Sequence, residues 1–432
     1  MSILQKIKYP SIEKDIYKKK VILEIDDDIK KKEIQLYKLN YIWSYCYNNL
    51  EFYRNIKINN KIPNSFESLN DFKNFPYLTK DIINKNLDLI VKDLNNFKFT
   101  YSGGTSGEIT KFPTSYINSR NNYINTKICR SWHNLDVTDK TLYIWGHSHK
   151  FSGNYIQKIF RNILNNLKDS YHNRYRVSAY NLSEKNLDYI QSIIKKKKFK
   201  VILSYGSSLS ILANYLKEKK FCYNKDINLI FTSENLSVEC ENNLKDVFPK
   251  GKIISEFGMA ETGVIGYSEM DFKKIRLIWS DFLIQNYKNS LCLTDLSYKP
   301  FPLIKYFPDD YLGNEDEKIY EETIYTLENL IGKRRETFEF ISNTKKHHYS
   351  LIVLDHIFKK FHSLYSVQFF IKNKFLYIIY FGNLDELEAI QNINNYFNDK
   401  IKNIKFKKTN KPIKTIAGKF KFLIDEKDFN NL

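Results

Sequence analysis

The chain has 432 residues, 42 % hydrophobic and 16 % aromatic, which is enough apolar material for two or three packed domains and too much for a disordered chain. Its net charge of +19 raises nucleic acid as a partner, but the lysines are spread among many asparagines and isoleucines, and the runs Lys30 to Lys32 and Lys195 to Lys198 read as solvated charge, so no nucleic-acid partner is expected. No apolar run approaches the ~18 residues of a membrane span, no stretch has signal-peptide order, and the five cysteines form no Cys-x-x-Cys pair, so a cytoplasmic protein with reduced thiols and no membrane partner is expected.

In residues 1–98, Ile34 to Ile56 carries Leu36, Leu39, Ile42, Trp43, Tyr47 and Leu50 on helical spacing and predicts one long helix. Thr79 is placed to cap a further helix. Next comes Phe99 to Pro113, where Gly103, Gly104 and Gly107 sit among Ser102, Thr105, Ser106 and Thr110 and close on Lys111. Glycine lets successive N–H groups converge on one anion, hydroxyls add neutral donors, and lysine adds the point charge that polyphosphate needs. The spacing matches neither the Walker nor the dinucleotide pattern, and a plain flexible turn is the competing reading.

Ser115 to Trp132 predicts a helix. Strands at Thr141 to Trp145, Val201 to Ser204, Leu229 to Thr232 and Lys252 to Ser255 then alternate with helices at Tyr155 to Leu167, Ser183 to Lys197, Ser207 to Lys219 and Ser237 to Val247. That order is the signature of a parallel sheet covered on both faces, with ligands at the carboxyl ends of its strands. The rule places Gly146-His147, Tyr205 to Ser207, Ser233-Glu234 and Glu256 to Thr262 on one rim. Short strands Leu277 to Trp279, Phe282 to Ile284 and Leu291 to Thr294 follow. Past a charged break at Gly332 to Glu336, a hairpin of Ser366 to Ile371 and Phe375 to Phe381, a helix Asp385 to Phe397 and a strand Asn403 to Phe406 predict a small α+β domain.

Five stretches in this order resemble the adenylate-forming superfamily of acyl-coenzyme A synthetases and firefly luciferase, and within it the phenylacetate-coenzyme A ligase-like branch. Ser102 to Lys111 resembles the superfamily's phosphate loop, with Thr110 near its usual proline. Glu256-Phe257-Gly258-Met259-Ala260-Glu261-Thr262 resembles its Tyr-Gly-x-Thr-Glu segment. Thr294-Asp295-Leu296 with Pro302 to Tyr306 and Asp310 resembles the branch's Thr-Asp-Leu and Pro-x-Ile-Arg-Tyr-x-x-x-Asp stretch. Gly332-Lys333-Arg334 resembles the Gly-Arg hinge entry, and Lys414 to Lys419 the Lys-Thr-x-x-Gly-Lys motif. Phe52-Tyr53-Arg54 and Leu69 to Lys80 resemble the branch's opening.

The resemblance implies a large N-terminal α/β domain with layered parallel and mixed sheets over residues 1–332, and a small mobile C-terminal α+β lid over 333–432. It implies ATP-dependent activation of a carboxylic acid, aromatic by analogy with the branch, as an acyl-adenylate, then thioester formation with coenzyme A. A carrier protein or an amine is the alternative acceptor, and a nucleotide-binding homologue with weakened turnover the alternative function. By the same resemblance Ser102, Gly103, Gly104, Thr105, Ser106, Gly107 and Lys111 hold the outer phosphates and Glu261 carries Mg²⁺. Asp310 takes the ribose hydroxyls, and Phe257 stacks on adenine beside Glu256, Gly258 and Thr262. Lys333 and Arg334 enter the hinge, and Lys419 bridges the acid and the α-phosphate. Ser233 and Glu234 are candidates for the nucleotide pocket; a capping serine is the plainer reading. His147 and His149 are candidates for contact with the acid, and solvated loop histidines are the commoner case. His347, His348 and His356 match no zinc spacing. The chain departs from the pattern at Phe257, which lacks a phenol, at Ala260, which lacks a hydroxyl, at Asp309 for glycine, and at Lys305 and Lys333 for arginine.

Overall fold

The computed structural model describes residues 12–101, 110–145, 173–179, 184–233, 238–269, 273–287, 290–308, 310–312, 322–328, 330–333, 337–342, 345–350, 364–372, 375–397, 403–410 and 423–430, with a few single residues between them. The helix expected over 155–167 lies outside them.

An antiparallel pair, β1 (Lys98–Tyr101) and β2 (Lys111–Thr114), brackets the glycine loop. The main sheet then forms from β3 (Thr141–Trp145), β4 (Arg174–Ser178), β5 (Val201–Tyr205), β6 (Ile227–Thr232) and β7 (Gly251–Met259), all parallel to their neighbours in the order β7-β6-β5-β3-β4. Buried on both faces, these strands still alternate. Leu142 and Ile144 pack with Leu187, Ile190 and Leu212 of the helices Glu184–Lys197 and Gly206–Glu218. Tyr143 and Trp145 lean on Ile124, Ile128 and Cys129 of the helix Tyr116–Ser131 on the other face. Ser115 opens that last helix with a capping box, exchanging hydrogen bonds with Asn118, which satisfies donors that a helix start leaves open.

Sequence and structure part at β7. The expected strand ended at Ser255, yet β7 runs on to Met259 because it turns from parallel pairing with β6 to antiparallel pairing with β8 (Gly263–Ser268). The parallel register ends at Thr232 opposite Glu256, and Phe257 to Met259 are carried past the edge of the parallel strands by the β7–β8 hairpin. Gly258 and Gly263 permit this hairpin: a Cβ on Gly258 would lie 2.7 Å from the Gly263 carbonyl oxygen, and Gly263 itself has φ +76°. β9 (Ile275–Leu277) extends the sheet antiparallel to β8.

A second, antiparallel sheet is built on β10 (Phe282–Tyr287), β11 (Ser290–Asp295), β12 (Asp310–Leu312), β13 (Glu322–Thr323) and β15 (Leu330–Lys333), while β14 (Thr326–Leu327) joins β9 at the edge of the main sheet. N-terminal helices cover it through Trp43, Phe52 and Tyr53, which share a core with Leu283, Leu296, Phe301 and Leu303. The single helix predicted over 34–56 is two, Asp28–Asn49 and Glu51–Asn59, broken at an extended Leu50. No Gly or Pro marks the break. Leu50 is buried at 2 % exposure, and Asp93 accepts the amide of Glu51 at 2.7 Å, so tertiary contacts impose the bend.

Beyond residue 333 a hairpin of β16 (Thr337–Ser342) and β17 (Lys345–Ser350) is followed by β18 (Leu364–Lys372) and β19 (Phe375–Gly382), the helix Glu386–Phe397 and β20 (Ile404–Lys408). β20 runs parallel to β19, and the helix covers one face through Ala389 and Ile393 against Phe369 and Ile378. This is the small α+β unit that the sequence predicted. No helix among the described residues is long and apolar enough to cross a membrane.

Candidate active site

The site is built where β7 and β8 overrun the carboxyl edge of the parallel strands, the position at which open α/β sheets bind ligands. Glu261 lies in the turn between these two strands, half-buried, and its Oε1 accepts a hydrogen bond from the hydroxyl of Tyr306 at 2.7 Å. Its neighbour Thr262 is buried and donates to the Gly263 carbonyl at 3.1 Å, so that hydroxyl is turned into the hairpin. Tyr306 is fully buried. Its ring meets Phe112 edge-on with centroids 5.9 Å apart, and Phe112 directly follows Lys111 in β2. Lys111 itself is exposed opposite Tyr101, with its amine 5.9 Å from the Phe99 ring.

Asp310 opens β12 and is 9 % exposed; its cross-strand partner is Lys333 of β15. Asp310, expected at the ribose, and Lys333, expected at the hinge entry, are therefore neighbours across two strands. Ser233 follows β6 at the same carboxyl edge and holds a left-handed φ of +69°, a backbone state that non-glycine residues adopt at a cost and often at functional positions. Trp145 and Tyr205, which end β3 and β5, lie with ring centroids 4.5 Å apart at 30°.

Glu256 and Phe257 face inward. Phe257 is 6 % exposed within the core of the main sheet. Glu256 accepts a short hydrogen bond from the Tyr267 hydroxyl, and Arg130 lies close by. Burial pushes the Glu256 carboxyl above the usual range against the pull of Tyr267 and Arg130, and the same burial, with Glu256 adjacent, pushes the Tyr267 phenol well up. This network ties β7, β8 and the helix Tyr116–Ser131 together beneath the turn that carries Glu261.

Lys305 departs from the arginine of the resembling motif, and its geometry gives the reason. With φ +50° and no exposure it directs its amine to the Lys73 carbonyl and over the rings of Tyr77 at 4.7 Å and Phe72 at 5.5 Å. The side chain serves the fold. Lys305→Met keeps the stem and removes the charged donor, so the hydrogen bond to the Lys73 carbonyl is lost, and should cost about 2 kcal/mol, the worth of a bond from a charged group. A urea midpoint lowered with an unchanged m-value would register the loss.

Ser102, Gly103, Gly104, Thr105, Ser106, Gly107, His147, His149, Glu234, Arg334 and Lys419 lie outside the described residues, as does Asp309. The hydrogen bond from Tyr306 to Glu261 and the pairing of Trp145 with Tyr205 were not read from sequence. Each joins residues tens of positions apart, and no local pattern encodes such a contact.

Among the described residues no three His, Cys, Asp or Glu side chains cluster to hold a metal. A single carboxylate with one oxygen engaged still fits Mg²⁺, which usually takes one or two protein carboxylates and completes its shell with phosphate oxygens and water.

No protein-family model matches the sequence, and no curated protein matches it. Solved structures do match in fold. A 2-hydroxyisobutyryl-CoA ligase in the postadenylation state, in complex with R3-HIB-AMP, shares 12 % identity at a TM-score of 0.64 over 95 % of this chain and 92 % of that one. An O-succinylbenzoate coenzyme A synthetase from Bacillus subtilis in complex with AMP shares 11 % over 75 % of this chain and 67 % of that one, at 0.50. The McyG A-PCP protein complexed with phenylalanyl-adenylate shares 13 % over 77 % and 65 %, at 0.52. The chain has the fold of the adenylate-forming ligases.

Proposed function

We propose that this protein activates a carboxylic acid with ATP as an acyl-adenylate and passes the acyl group to the thiol of coenzyme A. The observation that carries the reading is the meeting of two expected segments, Glu261 bonded to Tyr306 at 2.7 Å and Tyr306 packed on the residue after Lys111; Asp310 is separately paired with Lys333 in the second sheet. In this scheme residues 102–107 and Lys111 hold the outer phosphates, Asp310 holds the ribose, and Lys419 joins the acid to the α-phosphate. Glu261 would hold Mg²⁺, which supplies positive charge to the phosphates as the carboxylate attacks and pyrophosphate leaves. Acid-dependent exchange of pyrophosphate into ATP, screened over aryl, fatty and hydroxy acids, tests the first step. Coenzyme A, a phosphopantetheinyl carrier protein and an amine, offered in turn, test the acceptor. An absence of exchange with every acid would overturn the assignment.

Asp310→Ala should raise the KM for ATP by about 10- to 100-fold, the worth of a hydrogen bond to a charged group, with kcat nearly unchanged. The ribose does not change during adenylation, so the lost contact is uniform binding. A fall in kcat at constant KM would move Asp310 out of the ribose site.

A further inference from the structure

We propose that Tyr306 is the positioning residue for Glu261, fixing which carboxylate oxygen is presented to the cation and linking that carboxylate to the strand that leaves the glycine loop. The inference rests on the adenylation reading and assigns Tyr306 a role within it through the carboxylate it contacts. The contacts of its backbone, its ring and its hydroxyl carry it. The backbone of Tyr306 is clamped: its amide donates to Leu293 at 2.7 Å and its carbonyl accepts from Leu293 at 2.8 Å. The residues on either side are bonded to Leu78, whose amide donates to the Lys305 carbonyl and whose carbonyl accepts from Phe307, each at 2.9 Å. The ring is fully buried and set edge-on against Phe112. The hydroxyl, at the end of this rigid body, meets Oε1 of Glu261 at 2.7 Å across forty-five positions of sequence.

Glu261 gains from such a partner. It stands in a turn, half-buried, with three side-chain torsions that water alone would leave free, and ordering a glutamate side chain costs on the order of 1–2 kcal/mol. Among the described residues its hydrogen-bond partner is Tyr306. A phenol donor satisfies one oxygen without bringing a competing positive charge, and it leaves the second oxygen as the cation ligand. A lysine or arginine in the same place would oppose the cation. Phe112 adjoins Lys111, so the Tyr306 ring also sets the partner of the carboxylate against the strand that carries Lys111.

The test is Tyr306→Phe, which keeps the ring against Phe112 and deletes the donor. Binding of Mn²⁺ in the presence of a non-hydrolysable ATP analogue, followed by electron paramagnetic resonance, should weaken by about five- to tenfold. The free Mg²⁺ needed for half-maximal pyrophosphate exchange should rise by the same factor, while the affinity for the nucleotide without cation stays at the wild-type value. In the Glu261→Gln background the same change should add less than about twofold, because the group being positioned has lost its charge. Equal cation affinity in wild type and Tyr306→Phe would overturn the proposal and leave the adenylation reading intact. So would an equal loss of nucleotide affinity with and without cation, which marks a packing role. Failure of the wild type to bind the cation with the nucleotide would overturn both.

Discussion

Glu261→Gln is expected to lower acid-dependent pyrophosphate exchange by about 10²- to 10³-fold, the range for loss of one preorganised group that meets transition-state charge. The substitution is nearly isosteric, and the amide oxygen of Gln can still accept from Tyr306 at the 2.7 Å now spanned by the carboxylate. Shape and anchoring are therefore kept, and charge alone is removed. Glu261 is half-buried and takes no part in the core, so the urea midpoint should stay near the wild-type value. ATP binding should weaken by much less than the rate falls, because Lys111, the glycine loop and Asp310 still hold the nucleotide in the proposed scheme and the cation acts mainly on charge that develops during attack. Rates within about threefold of wild type at saturating Mg²⁺ would remove Glu261 from the cation site.

Two tyrosine hydroxyls anchor carboxylates of the β7–β8 hairpin, one near its base and one in its turn. Glu256 and Tyr267, with Arg130 adjacent, lock the base of the β7–β8 hairpin from below, and Tyr306 holds its tip from the side. Tyr267 donates from β8 to Glu256 of β7, and Tyr306 donates to Glu261 from a segment outside the hairpin. Such support from rigid neighbours is what holds a catalytic group near its productive geometry before substrate arrives.

Local pattern in the sequence carried the parallel sheet. Thr141–Trp145 is a short apolar run between a lysine and a glycine, and it forms β3 over the expected span. Pattern failed where pairing changes direction: Glu256-Phe257-Gly258 reads as the loop after a strand, yet antiparallel pairing with β8 keeps it extended. It failed again at Leu50, where two helices in phase read as one and a carboxylate from residue 93 supplies the partner for the second helix. For the candidate site, motif order nominated Lys111, Glu261, Asp310 and Lys333, and the structure adds Tyr306 between the Glu261 turn and β2 and the pairing of Asp310 with Lys333. Lys305 shows the limit most clearly, since nothing in a lysine's neighbours in sequence announces a left-handed backbone and an amine directed to the carbonyl of Lys73.

Lys419→Ala should abolish acyl-adenylate formation, with a loss of at least about 10²-fold, and leave the second half-reaction standing. Lys419 lies outside the described residues, so the expectation comes from Lys414-Thr415-Ile416-Ala417-Gly418-Lys419, which resembles the Lys-Thr-x-x-Gly-Lys motif, and from the place of this stretch beyond the proposed hinge at Lys333. In the proposed scheme the small unit closes on the larger one for adenylation and brings the Lys419 amine between the attacking carboxylate and the α-phosphate, where negative charge accumulates. Removing that charge acts on the transition state, at a cost like that of other lost preorganised charges. In the same scheme the unit would then turn to present another face for thioester formation, a hinge motion in which few residues absorb the change, and Lys419 would leave the site at that point. Supplied with synthetic acyl-adenylate and coenzyme A, the variant should therefore make thioester at close to the wild-type rate. Pyrophosphate exchange and single-turnover thioester formation, measured on one preparation, separate the two steps. If both fell together Lys419 would belong to a shared binding surface, and if neither fell it would be one more exposed lysine in a chain of +19 net charge.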